Sequence, residues 1–211
     1  MMSNRVSENI TSIIFDLGGV LFDIDFTLAR KAFHDLGFKG DFNDLYSQKK
    51  QAGVFDDFEK GIITPVQFRK QVKEWLPKGI EDKQVDEAWN ALLIGFPASK
   101  VELLKRLGKK YRLFLLSNTN EIHLPAVIDM VAHLDEKKGM GHLFEKDYYS
   151  CRMGMRKPDR EIFEKVCNEN SLEVSSTLFI DDSIQNIEGA MRTGLATLHC
   201  TASVNLEEYF K

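Results

Sequence analysis

Residues 12–19 read Ser-Ile-Ile-Phe-Asp-Leu-Gly-Gly, an apolar run that ends in an aspartate and two glycines. Similar apolar runs occupy residues 113–116, 178–180 and 195–198, and a weaker candidate lies near Tyr148. None of them alternates between apolar and polar residues, which is typical of strands covered on both faces in a parallel sheet. Helical patterns separate the runs, so the sequence predicts a doubly wound α/β fold with right-handed crossovers.

Two helices of this fold have sequence signals at their starts. Ser99 and Glu102 form a capping-box pattern, which predicts that a helix begins at Ser99 and ends at Gly108. Pro158 suits the first position of a second helix, since proline needs no hydrogen-bond partner for its backbone nitrogen there. Both helices are expected to cover the predicted sheet.

The stretch from residue 25 to residue 96 contains helical patterns but no convincing strand. Thr64 and Gln67 have capping-box spacing, and apolar residues follow at helical intervals. We therefore divide the chain into an α/β core, residues 1–24 and 97–211, and an inserted helical bundle, residues 25–96.

The composition of the chain narrows its possible partners and its expected location. The chain has 211 residues, 28 basic and 32 acidic side chains and a net charge of −4, which gives no reason to expect nucleic acid or an anionic membrane surface as a partner. Three widely spaced cysteines fit neither a disulfide framework nor a zinc site. No apolar run approaches the ~18 residues of a membrane helix, and the first eleven residues do not form a signal-peptide pattern. We expect a cytoplasmic globular protein.

Polar side chains follow three of the predicted strands directly: Asp16, the pair Ser117-Asn118, and the pair Asp181-Asp182. Each has a common structural explanation as a turn, a helix cap or a charge at a helix start. Because the carboxyl ends of parallel strands meet at one sheet edge, however, all of them are expected to converge, together with Lys157 from a nearby loop.

Convergence of these groups indicates phosphoryl transfer. Clustered carboxylates repel one another unless a cation compensates them, and hard oxygen ligands favour Mg²⁺. We expect the cation, Lys157 and a helix N-terminus at Ser117-Asn118 to neutralise a bound phosphate, and Asp16 to attack phosphorus and form an aspartyl-phosphate. Net charge therefore excludes a broad polyanion surface but not a phosphate pocket.

Four segments in order resemble the motifs of the haloacid dehalogenase superfamily, and the resemblance covers essentially the whole chain. The insert is similar to the alpha-helical cap that follows the first motif in this superfamily, which implies a Rossmann-like core with a helical-bundle cap. The opening motif is most similar to the branch of bacterial α-D-glucose 1-phosphate phosphatases. The four segments are residues 14–25 (Ile-Phe-Asp-Leu-Gly-Gly-Val-Leu-Phe-Asp-Ile-Asp), 116–120 (Leu-Ser-Asn-Thr-Asn), 154–159 (Gly-Met-Arg-Lys-Pro-Asp) and 179–182 (Phe-Ile-Asp-Asp).

This resemblance implies a role for each site residue. Asp16 would be the nucleophile and a Mg²⁺ ligand, the Gly18 carbonyl a second ligand, and Asp182 a third, with Asp181 behind it or as an alternative ligand. The transferring phosphoryl group would be held by Ser117 with the Asn118 amide, and by Lys157, which also pairs with the nucleophile.

One position departs from the family pattern. Most phosphatases of the superfamily carry an aspartate two residues after the nucleophile, as general acid and base, whereas this chain has Gly18. Without that acid, good leaving groups gain an advantage, so the expected substrate is a small phosphorylated metabolite such as a sugar 1-phosphate. Asp23 or Asp25 is a candidate replacement, although both also suit a cap of the first inserted helix.

Two other functions are compatible with the same motifs. A haloacid dehalogenase shares the aspartate nucleophile but needs no metal, and the pair Asp181-Asp182 counts against it. A catalytically weak scaffold that binds phosphorylated ligands or a protein is suggested by Gly18. In a phosphatase or a dehalogenase, the insert would close over the site. The aromatic residues Phe26, Phe55 and Phe58 would face either the cleft or the core of the insert.

Overall fold

The computed structural model describes residues 6–39, 53–132 and 140–211. At its centre is a parallel sheet of five strands: β1 Ser12–Phe15, β4 Arg112–Ser117, β5 Lys146–Tyr149, β6 Thr177–Asp181 and β7 Ala196–His199. Their order across the sheet is β5-β4-β1-β6-β7. The first strand along the chain therefore lies in the middle of the sheet, between two strands that come much later in the chain.

The sheet is buried on both faces, which explains its continuous apolar strands. Successive side chains of a strand point to opposite faces, so Ile13 and Phe15 join one buried cluster and Ile14 joins another. Helices cover both clusters: α5 Ala98–Leu107, α6 His123–Val131, α7 Ser150–Met153, α8 Arg160–Glu169, α9 Ile184–Met191 and α10 Leu206–Tyr209. The predicted α/β class and doubly wound sheet are confirmed.

Two predicted helix starts are wrong. Helix α5 begins one residue before Ser99, after Pro97, and has no side-chain cap. Helix α8 begins after Asp159, which leaves Pro158 outside it, preceded by a cis peptide bond. Capping patterns are short local signals, and the packing of each helix on the sheet decides where its first turn lies.

Four described helices lie between residues 25 and 96: α1 Phe26–Asp35, α2 Val54–Glu59, α3 Pro65–Lys73 and α4 Asp82–Asn90. The capping box of Thr64 and Gln67 forms as predicted at the start of α3. A short antiparallel ribbon, β2 Asp23–Ile24 with β3 Leu93–Gly95, was not expected from the sequence. It joins the chain entering the insert to the chain leaving it.

The four inserted helices pack around their own aromatic cluster. Phe55 and Phe68 contact each other and the buried Trp89 indole, with ring centroids 5.2–5.8 Å apart. Phe58 stacks on Phe68 at 4.3 Å. Burial of these rings stabilises the insert, as aromatic side chains remove large apolar areas from water. No helix in the described ranges has the length and apolar character needed to cross a membrane.

Candidate active site

Lys157 lies between two carboxylates at the carboxyl edge of the sheet. Its Nζ donates to Asp16 Oδ1 at 2.6 Å and to Asp181 Oδ2 at 2.7 Å, and its side chain is only 1% exposed. The two aspartates follow β1 or end β6, which are neighbours in the sheet. The predicted convergence of Asp16, Lys157 and the Asp181-Asp182 pair is therefore present in the structure.

The two adjacent aspartates have different surroundings. Asp181 is fully buried, and its carboxylate accepts hydrogen bonds from the Ser183 backbone N–H at 2.8 Å and from Asn186 at 3.0 and 3.1 Å. The Asp182 carboxylate is half-buried and lies against Gly19, where a Cβ atom would overlap it. Asp181 is thus held within the protein, whereas Asp182 lines the open cavity.

Burial perturbs the charges of the central pair. It raises the pKa of Asp16 to about 8, with Lys157 opposing the change and Asp181 adding to it. Burial by itself would lower the pKa of Lys157, yet the adjacent carboxylates of Asp16 and Asp181 outweigh it and raise this pKa. The lysine therefore stays a cation between the two carboxyl groups.

One carboxylate oxygen from each of Asp16, Asp181 and Asp182 lies within 4.8 Å of the others. Three hard oxygen donors at this separation suit a small divalent cation such as Mg²⁺. The Gly18 backbone borders the same cavity, as the predicted carbonyl ligand requires.

Ser117 ends β4, Asn118 follows it, and both border the same cavity as Lys157. The Asn118 side chain donates to the Lys157 carbonyl and accepts from the Lys157 N–H, both at 2.9 Å, so it holds the lysine loop against the strand. The expected helix N-terminus at this point is absent. Helix α6 starts only at His123, where the Asn120 side chain accepts from the first backbone N–H groups.

The site opens into a cavity of about 250 Å³. One end carries the polar groups described above, and apolar side chains of both the sheet domain and the insert form its walls: Leu17, Phe22, Ile24, Phe26, Leu92, Leu93 and Val127. Of the three aromatic residues suggested for the cleft, Phe26 lines it, whereas Phe55 and Phe58 belong to the core of the insert.

The two candidate proton carriers do not line this cavity as the structure describes it. Asp25 is the N-cap of α1, and its carboxylate accepts from the Thr27 N–H at 2.8 Å. Hydrogen bonds from Thr27 lower the pKa of Asp25, which favours the ionised cap over a proton donor. Asp23 is exposed in the β2–β3 ribbon.

Three ionisable residues line the cavity without having been predicted: Glu59, His123 and Arg156. Glu59 and Arg156 are an ion pair, with 3.0 Å between Oε2 and Nη2. The sequence indicates Arg156 only as a neighbour of Lys157 in the segment 154–159. No local pattern indicates Glu59, because this residue reaches the cavity through the packing of α2.

His123 is a structural residue. Its Nε2 donates to the Trp89 carbonyl at 3.1 Å, its Nδ1 accepts from Asn120 at 3.1 Å, and its ring stacks on the Trp89 indole at 4.7 Å. Burial lowers the pKa of His123 to about 4. The neutral ring therefore links the insert to the sheet domain and has no nitrogen left for proton transfer.

Comparison with known proteins agrees with this geometry. Residues 10–194 match the model of the haloacid dehalogenase-like hydrolase family. A D-ribitol-5-phosphate phosphatase from Bacteroides thetaiotaomicron is 31% identical over 191 residues, covering 89% of this chain and 90% of its own. Among solved structures, a HAD family enzyme from the same species, an alanine variant in complex with magnesium and inorganic phosphate, has a TM-score of 0.90 and 35% identity and covers 96% of this chain and 99% of its own. A predicted HAD-like hydrolase from Porphyromonas gingivalis has a TM-score of 0.80 and 32% identity, with 93% of both chains covered.

A five-stranded parallel sheet with carboxylates and a buried lysine at its carboxyl edge defines an α/β protein with a charged site at its strand ends. The chain belongs to the haloacid dehalogenase-like hydrolase family. The predictions that the chain is a hydrolase and that its substrate class is phosphoric monoesters are confirmed. The narrower resemblance to α-D-glucose 1-phosphate phosphatases stays a prediction.

Proposed function

We propose that this protein is a Mg²⁺-dependent phosphatase that hydrolyses the phosphate monoester of a small sugar or sugar alcohol. The observation that carries the proposal is the buried Lys157, bound at once to Asp16 and Asp181 beside a third carboxylate. A lysine held between these groups can pair with a phosphate oxygen while it keeps the nucleophile in place.

Asp16, the Gly18 carbonyl and Asp182 are the proposed metal ligands. When bound there, Mg²⁺ would polarise the phosphoryl group and screen it from the carboxylates. We assign to Asp181 the task of positioning Lys157, because hydrogen bonds from Lys157, Ser183 and Asn186 already occupy its oxygens. A related enzyme was crystallised with magnesium and inorganic phosphate, which supports the proposal that this protein binds Mg²⁺ and phosphate.

The reaction would proceed in two displacements at phosphorus. An oxygen of Asp16 attacks, the bond to the leaving oxygen breaks, and that oxygen keeps the electron pair. The leaving group takes a proton from water once it has left the site. Water then attacks the phosphorus of the aspartyl-phosphate, which releases inorganic phosphate and restores the carboxylate. The Ser117 hydroxyl and the Asn118 backbone N–H would hold the phosphoryl oxygens, and Lys157 would offset their charge.

The helical insert, residues 25–96, is the proposed cap. Phe26, Leu92 and Glu59 come from this segment and line the same cavity as the strand-end residues. A cap in this position would exclude water during the first displacement and contact the leaving group.

Two substrate classes deserve direct comparison. Gly18 supplies no general acid, which favours leaving groups that depart without protonation, such as the anomeric oxygen of a sugar 1-phosphate. The relative named for D-ribitol 5-phosphate instead points to a phosphate on a primary alcohol.

The test is phosphate release from a panel of sugar 1-phosphates, sugar 6-phosphates and sugar-alcohol phosphates, each with Mg²⁺ and with EDTA. We expect Mg²⁺-dependent turnover that the Asp16→Asn variant loses. Normal release by Asp16→Asn would contradict the nucleophile assignment, and a preference for 6-phosphates would contradict the leaving-group argument. Halide release from a haloacid in EDTA would instead identify a dehalogenase, and no turnover of any ester would identify a binding scaffold.

A further inference from the structure

We infer that Glu59, held by Arg156, recognises the hydroxyl groups of the leaving group and selects neutral polyol phosphates over substrates with a second anionic group. This inference rests on the proposed phosphatase function and adds the residue that reads the substrate.

The first support is position. Glu59 is the last residue of α2, in the inserted helices, and it lines the same cavity as Asp16 and Lys157. Among the described residues, the other carboxylates of that cavity are Asp16 and Asp182, which are assigned to the nucleophile and the metal. Because Glu59 has no assigned part in the attack or in the metal site, we assign it to the part of the substrate that leaves.

The second support is that the pair is built into the protein. Glu59 is 3% exposed, and the Arg156 side chain is 14% exposed. Arg156 donates to Asp56 at 2.8 Å and lies 3.0 Å from Glu59, so one guanidinium joins two of the carboxylates of α2 to the loop that carries Lys157. A buried carboxylate is costly unless it is paired, and this pairing fixes Glu59 at the cavity wall.

The third support is charge. Within the described residues, the Arg156 guanidinium is bound to two carboxylates, Asp56 and Glu59, and Asp56 also pairs with Lys60. The positive charge of Arg156 is therefore compensated within the protein. A second phosphate or a carboxylate on the substrate would lie against the Glu59 carboxylate, which repels it, whereas a hydroxyl can donate to that carboxylate.

The remaining walls agree with such a ligand. Ile24, Leu93 and Val127 are apolar and would contact the carbon skeleton. A few placed polar groups on an otherwise apolar surface are typical of small-molecule sites.

The experiment compares the wild type with Glu59→Gln, which keeps the size of the side chain and removes its charge. Asp57→Asn is the matched control, because it makes the same change on the same helix away from the cavity. The probes are a sugar-alcohol phosphate, propyl phosphate and p-nitrophenyl phosphate, all assayed with Mg²⁺. Since a hydrogen bond to a charged group contributes roughly 1.5–3 kcal/mol, we expect kcat/KM for the hydroxylated ester to fall at least about tenfold in Glu59→Gln. The other two esters should change less than about twofold, and Asp57→Asn should match the wild type on all three.

Three outcomes would overturn the inference. An equal loss of kcat/KM for propyl phosphate and for the hydroxylated ester would make Glu59 a proton carrier. The other two are an unchanged kcat/KM for every ester in Glu59→Gln and a wild type that prefers a sugar bisphosphate. Glu59→Leu gives a second measurement and should lose the hydroxylated ester further while it retains p-nitrophenyl phosphate. Turnover of p-nitrophenyl phosphate by the wild type tests the phosphatase proposal separately, so the two failures are distinguishable.

Discussion

Replacing Lys157 by methionine is expected to destabilise the protein strongly, because it leaves two buried carboxylates without their cation. The Lys157 ammonium lies 2.6 and 2.7 Å from Asp16 and Asp181, and the Asp181 side chain is fully buried. Removing one partner of a buried ion pair costs about 3–5 kcal/mol. For a chain of this size, that loss lowers the melting temperature by about 10 °C.

The assay is urea unfolding of the wild type, Lys157→Met and the double variant Asp16→Asn/Lys157→Met, each in EDTA and in MgCl₂. In EDTA the double variant should regain part of the loss, since one of the stranded charges is gone. Added Mg²⁺ should also restore part of the stability of Lys157→Met, because a cation at the carboxylates replaces the missing charge. The exposed Lys109→Met substitution is the control and should change little. A loss below about 1 kcal/mol for Lys157→Met would refute this account of the cluster.

Three other substitutions test separate features. Gly19→Ala should reduce turnover and raise the Mg²⁺ concentration needed for half-maximal rate, because residue 19 has φ +80° and a Cβ would displace the Asp182 carboxylate. An unchanged Mg²⁺ dependence would contradict the assignment of Asp182 to the metal site. The pKa of His123 in the folded protein is about 4, below its ordinary value of ~6.5. As the pH falls below ~6.5, the unfolded chain therefore binds this proton before the folded protein does. The free energy of unfolding should decrease by up to ~1.4 kcal/mol per pH unit between about pH 6.5 and pH 4. Unfolding curves of His123→Gln should lack that part of the slope, and those of the exposed His34→Gln should keep it. Asp25→Ala should lower the melting temperature by removing the α1 cap and leave turnover intact, whereas collapse of turnover would restore Asp25 as a proton carrier.

Much of the fold could be predicted from local patterns. The run 12–15 and its later counterparts show no alternation of apolar and polar residues, because both sheet faces are covered, and each of them overlaps a strand. Helix starts were harder to predict. Ser99 and Pro158 have suitable chemistry but do not begin helices, since packing against the sheet outweighs a cap of about 1 kcal/mol.

The residues of the strand-end site could be predicted from the sequence, because parallel strands end at one edge and carry their following residues there. Asp16, Ser117 and the Asp181-Asp182 pair follow from that rule alone. The family resemblance also implies the pairing of Lys157 with Asp16, and the two side chains are in contact. The second contact of Lys157, with Asp181, and the approach of Glu59 to the cavity from α2 depend on the folded chain. No local pattern indicates either one, since each joins residues far apart in the chain, and its geometry depends on how a loop or the insert packs against the sheet.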